Sequence, residues 1–171
     1  MKDVYQKLMD TTDYGKHEKN KCPGAKFFPM FEKFIDPPVM DLGCGTGDTV
    51  RLLKSKGIFA DGIDWVNLNN DMMVRDITQP IDMFGYNTAL CIDVLEHIPE
   101  EKVHVLLFNI AQCKKAVVSV HTGSSIFCDD IELHITQHSF KWWERKLKER
   151  WRIVKEHLIN YERKLYLLEK K

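Results

Sequence analysis

The sequence predicts an α/β fold, a mostly parallel sheet with helices on both faces, and three observations carry that prediction. Apolar runs of strand length recur at 38–42, 58–64, 87–93 and 116–120, with helical patterning between or beside them. The first run passes into its helix through a glycine-rich turn. Asp41, Asp64 and Asp76 stand at the ends of three successive strands, which places three carboxylates along one edge of a parallel sheet.

Taken in order, residues 1–36 combine helix-like spacing of Val4, Leu8, Phe27, Phe31 and Phe34 with a polar, lysine-rich break from Thr11 to Gly24. A helix, a loop and a second helix are expected. Tyr14, Lys16, His17 and Lys21 form either a lid over a ligand site or a plain solvated loop. Pro37-Pro38 stops the second helix before the first strand. The core then runs strand 38–42, helix 46–56 ended by Gly57, strand 58–64 and strand 72–76. Residues 65–71 leave room for one turn at most between the last two. After strand 87–93, Pro99, Glu100 and Glu101 open a helix to about 112, with Val103, Leu106, Leu107 and Ile110 on one face. Strand five is a continuous apolar run, 116–120, suited to a sheet centre. Ser139 caps a helix to about 149 with Phe140, Trp143 and Leu147 on its buried stripe. Strands 151–156 and 163–168, joined by Asn160-Tyr161, read as a closing hairpin. At 171 residues the chain fits one domain, a helical cap over 1–36 and a core over 37–171.

The turn itself reads Val39-Met40-Asp41-Leu42-Gly43-Cys44-Gly45-Thr46-Gly47-Asp48. Glycines there let a ligand approach the backbone. A dinucleotide turn spaces its glycines G-x-G-x-x-G and points a helix N-terminus at a pyrophosphate. Here the third glycine comes one residue early, and Asp48 follows it where a diphosphate would be repelled. Asp41 points the same way, because a carboxylate beside the loop suits a ligand carrying an ammonium and a sulfonium. Asp64, about 20 residues past the loop, stands where such folds place the carboxylate that accepts both ribose hydroxyls. A second motif, Asp93-Val94-Leu95-Glu96-His97-Ile98-Pro99, follows the fourth strand.

These two segments resemble motif I and the strand-four signature of class I S-adenosylmethionine (AdoMet) dependent methyltransferases of the small, single-domain type. The resemblance implies a Rossmann-like, seven-stranded, mostly parallel sheet with a C-terminal antiparallel hairpin. It also implies AdoMet as cofactor, held by Asp41, Gly43, Cys44, Gly45, Asp64, Trp65, Asp76, Ile77, Asp93 and Val94, with Asp76 at the adenine amino group. Methyl transfer from a sulfonium needs chiefly alignment, and a base only when an alcohol or phenol must lose its proton. Candidate bases are His97, His121 and His134 beyond strands four and five, with His138 nearby, although His97 serves equally well as a loop cap. Trp143 belongs to the core, and Trp142, offset from that stripe, is a candidate for touching substrate.

The expected reaction is methyl transfer to an O or N acceptor, a small molecule or sugar-like metabolite, with no metal ligand assigned. A second reading comes from small-RNA 3′-end 2′-O-methyltransferases, which carry E-x-x-E-H and H-x-F-E-W around a metal. Asp93 to His97 and His138-Ser139-Phe140-Lys141-Trp142 resemble these in part, with Asp and Lys replacing a Glu of each motif. A third reading is an AdoMet-binding domain without turnover. The 25 basic and 25 acidic residues balance, so no net field draws nucleic acid or membrane, although 139–171 is basic. Nucleic acid is therefore a possible but unfavoured partner, and oligomeric state is open. Five single cysteines show neither zinc spacing nor a disulfide framework, and no apolar run reaches membrane-spanning length, so a cytoplasmic protein is expected.

Overall fold

The structure, a computed structural model, describes residues 7, 22–66, 72–127 and 131–171. Among them seven strands form one sheet and two short strands form a second ladder. The described elements are α1 (Pro23–Phe31), β1 (Val39–Leu42), α2 (Asp48–Ser55), β2 (Ala60–Asp64), β3 (Met73–Val74), β4 (Thr88–Ile92), α3 (Glu100–Ile110) and β5 (Lys115–His121). They continue with β6 (Ile126–Phe127), β7 (Ile131–Glu132), α4 (Phe140–Lys148), β8 (Trp151–Asn160) and β9 (Arg163–Lys170). A 3-10 turn, Leu95–His97, follows β4.

The sheet order is β3-β2-β1-β4-β5-β9-β8. The first five strands are parallel, and β9 joins β5 antiparallel before turning back into β8. The sheet is thus the Rossmann-like, mostly parallel sheet with an antiparallel C-terminal hairpin. The order reverses between β1 and β4, so a crevice opens beyond their carboxyl ends.

Strand alternation decides what each face holds. Met40, Leu42, Ala89, Cys91 and Val118 pack with α3 and α4 residues such as Leu106, Ile110 and Trp143 on one face. Val39, Leu90, Ile92 and Val117 pack with Phe28, Phe31 and Leu53 of α1 and α2 on the other. Asp41 falls between Met40 and Leu42, so it turns toward the α1 and α2 side, where it is buried.

Element bounds differ from the sequence expectation at informative places. Helix α2 starts at Asp48, with Gly47 in a left-handed conformation as its cap. Asp48 is buried and forms an ion pair with Arg51. Its charge is therefore used within the helix's first turn, and Asp48 does not line the crevice described below. β3 shrinks to two residues, and Asp76 follows it in a turn, where its Oδ1 accepts from the Thr78 N–H and hydroxyl. β8 runs to Asn160, well past 156, because an edge strand tolerates Glu156, His157 and Asn160 without apolar alternation. The β6–β7 ladder was not foreseen. Tyr14, Lys16, His17 and Lys21 lie outside the described residues, and among the described residues no helix is long and apolar enough to cross a membrane.

Candidate active site

The glycine turn is fixed by its neighbour strand. The Gly43 and Cys44 N–H groups both donate to the Ile63 carbonyl at the end of β2 (2.8 and 3.1 Å). Gly43 adopts φ +78°, and a Cβ there would lie 2.5 Å from Val94 Cγ2. Only glycine lets the turn pass so close to the fourth-strand motif. Gly45 adopts φ +53°, yet an added Cβ would meet nothing within 4 Å. That face of the turn opens into space.

Asp64 closes the other side. Its Oδ2 accepts from the Gly45 N–H at 2.8 Å and its Oδ1 from the Val66 N–H at 3.3 Å, so one carboxylate ties the end of β2 to the turn. Burial raises its pKa, and the backbone donors oppose that rise. Asp41 beneath the turn is more strongly affected: burial, and then the charge of Asp64, push it up to about 7. Two carboxylates held away from water at one turn make a site that favours cationic ligands.

Two cavities meet here. The first, about 100 Å³, lies among Gly43, Gly45, Asp64, Trp65, Val66, Ile77, Asp93, Val94, His97 and Ile98. Trp65, Val66, Ile77, Val94 and Ile98 give it apolar walls and Asp64 a carboxylate, which suits a flat heterocycle attached to a sugar. The second, about 520 Å³, continues past Asp41, Cys44 and Thr46 to Cys22, Gly24 and Lys26 of the N-terminal segment and to His121, Ser124, Ser125, His134 and Arg163. Asp93 and His97 line both.

Asp93 sits at the junction in a left-handed conformation (φ 54°), which swings the chain off β4 into the 3-10 turn. Its N–H donates to Ser119 Oγ (2.9 Å), the Ser119 hydroxyl donates back to Oδ1 (2.6 Å), and Arg163 Nε lies 3.2 Å from Oδ2. Glu96, in the 3-10 turn, is fully buried: its Oε1 accepts from the His121 N–H at 3.0 Å, while Oε2 has no hydrogen-bond partner. Burial, and then the charge of Asp93, raise its pKa well above the carboxylate range.

The three predicted histidines come together. The His97 and His134 rings lie 4.7 Å apart edge to face, and His134 lies 5.0 Å from His121. His97 Nδ1 lies 2.9 Å from the Leu133 carbonyl and His134 Nδ1 lies within hydrogen-bond reach of the Gly123 carbonyl, so each ring N–H donates there and the lone pair falls on Nε2. Burial lowers the His97 pKa to about 4 and depresses that of His134, which keeps both neutral near pH 7.

The remaining predicted residues divide. Asp41, Gly43, Cys44, Gly45, Asp64, Trp65, Ile77, Asp93 and Val94 all border the cavities. Asp76 does not: it is exposed beside Ile77, with Thr78 on its carboxylate. His138 also lies apart, paired with Glu100 (2.8 Å) and stacked on Trp142 (3.9 Å between centroids). Trp142 therefore packs against His138 and borders neither cavity. Arg163, Ser124 and Ser125 were missed, since only the β5–β9 pairing brings Arg163 opposite His121.

Residues 4–165 match the family described as "Methyltransferase domain". The chain belongs to that family, and it is a class I AdoMet-dependent methyltransferase. By sequence it matches none of the curated proteins. Among solved structures it is similar to a protein from Pyrococcus horikoshii OT3, at 14% identity, full coverage of both chains and TM-score 0.77. It is also similar to magnesium protoporphyrin IX methyltransferase from Synechocystis PCC 6803 with bound SAM (15% identity, 99% of this chain and 97% of that one, TM-score 0.67). A third is the Burkholderia thailandensis 1,6-didemethyltoxoflavin-N1-methyltransferase with its substrate and S-adenosylhomocysteine (12% identity, 99% and 86%, TM-score 0.75). At these identities the likeness is one of fold.

Proposed function

We propose that this chain transfers a methyl group from AdoMet to an oxygen or nitrogen of a small, sugar-like metabolite. The carrying observation is the crevice of about 520 Å³ between the glycine turn and the three histidines, a volume within the usual small-molecule range. The residues present fit the cofactor. Gly45 presents an open backbone face, Asp64 offers a carboxylate suited to a diol, and the apolar cavity by Trp65, Ile77 and Val94 suits adenine. In this reading Asp41, Gly43, Cys44 and Asp93 complete the cofactor's surroundings, while Asp76 lies outside the cavity beside Ile77. When bound, AdoMet supplies a methyl carbon already activated by its sulfonium.

The protein's own part is to hold the acceptor and handle a proton. His97, His121 and His134 all line the crevice, where a ring nitrogen can take the proton of an acceptor hydroxyl. Helix α1, through Gly24 and Lys26, walls the crevice and limits acceptor size. Lys146, Lys148, Arg152, Arg163 and Lys164 are each paired with a carboxylate, so these side chains form no free basic track. The test is transfer of labelled methyl from AdoMet into fractionated metabolite and RNA pools. Label in nuclease-resistant small molecules is expected; label confined to nuclease-sensitive material would contradict the reading.

A further inference from the structure

The geometry points to a divalent transition-metal site formed by Glu96, His97 and His134, open toward the acceptor crevice. The inference rests on the methyltransferase reading only for its consequence, that an oxygen acceptor is held there. The binding site itself stands on four observations.

One ligand atom from each of the three residues lies within 4.8 Å of the others, a spread that small side-chain movements close onto one ion. Glu96 has no exposure to solvent, and its Oε2 has no hydrogen-bond partner. A buried carboxylate oxygen without a donor is costly, and a cation is the partner that relieves it. Both imidazoles donate Nδ1–H to backbone carbonyls of Leu133 and Gly123, which fixes their tautomers with the lone pair on Nε2. Carbonyls behind the rings are the usual way of orienting metal-binding histidines. Finally, the cluster borders the crevice: His97 and His134 line it, while Glu96 is buried and held by the His121 N–H.

Two imidazoles and one carboxylate suit manganese, iron, cobalt or zinc better than magnesium, which prefers an all-oxygen shell. Three protein ligands leave coordination positions for exogenous oxygen. An acceptor bearing one hydroxyl, or two adjacent ones, would be held at those positions and its oxygen made more acidic, with His121 left as the nearby ring able to receive a proton. The ligand set differs from the one the partial motif implied. His138 is engaged with Glu100 and Trp142, and Asp93 with Ser119 and Arg163.

The test uses the full chain, freed of any affinity tag and stripped with chelator. Titration with Co²⁺, followed by visible absorption, and with Mn²⁺, followed by calorimetry, should give one ion per chain, with Mg²⁺ at least tenfold weaker than Mn²⁺. His134→Ala and Glu96→Gln should each weaken Mn²⁺ binding at least tenfold, whereas His138→Ala should change it less than twofold. Should Glu96→Gln fail to fold, His134→Gln with an unchanged circular dichroism spectrum takes its place. No Co²⁺ spectrum in folded wild type, or undiminished binding in folded His134 variants, overturns the proposal. AdoMet is titrated in parallel: AdoMet binding without metal uptake overturns the metal site and leaves the methyltransferase reading standing, and metal uptake without AdoMet binding does the reverse.

Discussion

Gly43 and Gly45 sit two positions apart in one turn and are required for different reasons. Both have positive φ, which costs an alanine about 1 kcal/mol. Gly43 additionally faces Val94 Cγ2 at 2.5 Å, and overpacking adds roughly 1–3 kcal/mol. Gly43→Ala should therefore destabilise the fold markedly. Gly45→Ala should lower the melting temperature by only a few degrees, since about 1 kcal/mol corresponds to about 2–4 °C in a chain this long. Its Cβ would nonetheless stand in the space beside Asp64, so AdoMet affinity should fall at least tenfold. Denaturation curves and calorimetry on the two variants check the split. Equal loss of stability in both, with affinity retained in Gly45→Ala, would contradict it.

Asp41 carries a pH signature at the same scale. Its folded pKa of about 7 lies above the ordinary 3.8, so the native state retains a proton that the unfolded chain has released. The stability this contributes is full below about pH 4 and is lost as pH rises through 7. Asp41→Asn should accordingly raise the melting temperature at pH 8 and leave it nearly unchanged at pH 4. A cationic ligand reverses the balance by favouring the ionised carboxylate. AdoMet affinity relative to uncharged-sulfur S-adenosylhomocysteine should rise between pH 6 and 8 in wild type and rise less in the variant. A flat ratio would remove Asp41 from the charge environment of the ligand.

At the scale of elements, the legible parts were those whose burial leaves a pattern. β1, β4 and β5 are covered on both faces, so each appears as a mostly apolar run, broken only by Asp41 inside β1 and Ser119 inside β5, and α4 announces itself by the Ser139 cap, whose Oγ accepts from the Trp142 N–H, and by the buried Trp143. β3 was overextended because Met72 to Ile77 is apolar enough for a strand, yet only Ile63↔Met73 and Asp64↔Val74 pair before Asp76 turns the chain. The far half of β8 was invisible for the opposite reason: the sheet's outer edge imposes no apolar period on Glu156 to Asn160. The β6–β7 ladder pairs only Ile126↔Glu132 and Phe127↔Ile131, too little to stand out from loop composition.

At the scale of the whole molecule, the site assembles where local sequence is silent. The glycine turn and Asp64 were readable because each follows its own strand, and the fold brings them within a hydrogen bond. The meeting of Glu96, His97 and His134 was not readable, since it depends on the return of the chain from the β6–β7 ladder, where the Thr136 N–H donates to the Glu96 carbonyl and the Thr136 hydroxyl to that of Ile98. Arg163 likewise reaches Asp93 only through the antiparallel register of β5 and β9. In the proposed reading the parallel half of the sheet supplies the cofactor end, and the antiparallel closure helps to build the acceptor end.

The most direct test of the central claim, that the turn and Asp64 hold AdoMet at the carboxyl rim of the sheet, is isothermal titration of wild type and Asp64→Ala. Saturable binding of AdoMet and S-adenosylhomocysteine is predicted, without NAD binding and with at least tenfold loss in the variant. Absence of AdoMet heat in folded wild type, or equal affinity in the folded variant, would contradict the account.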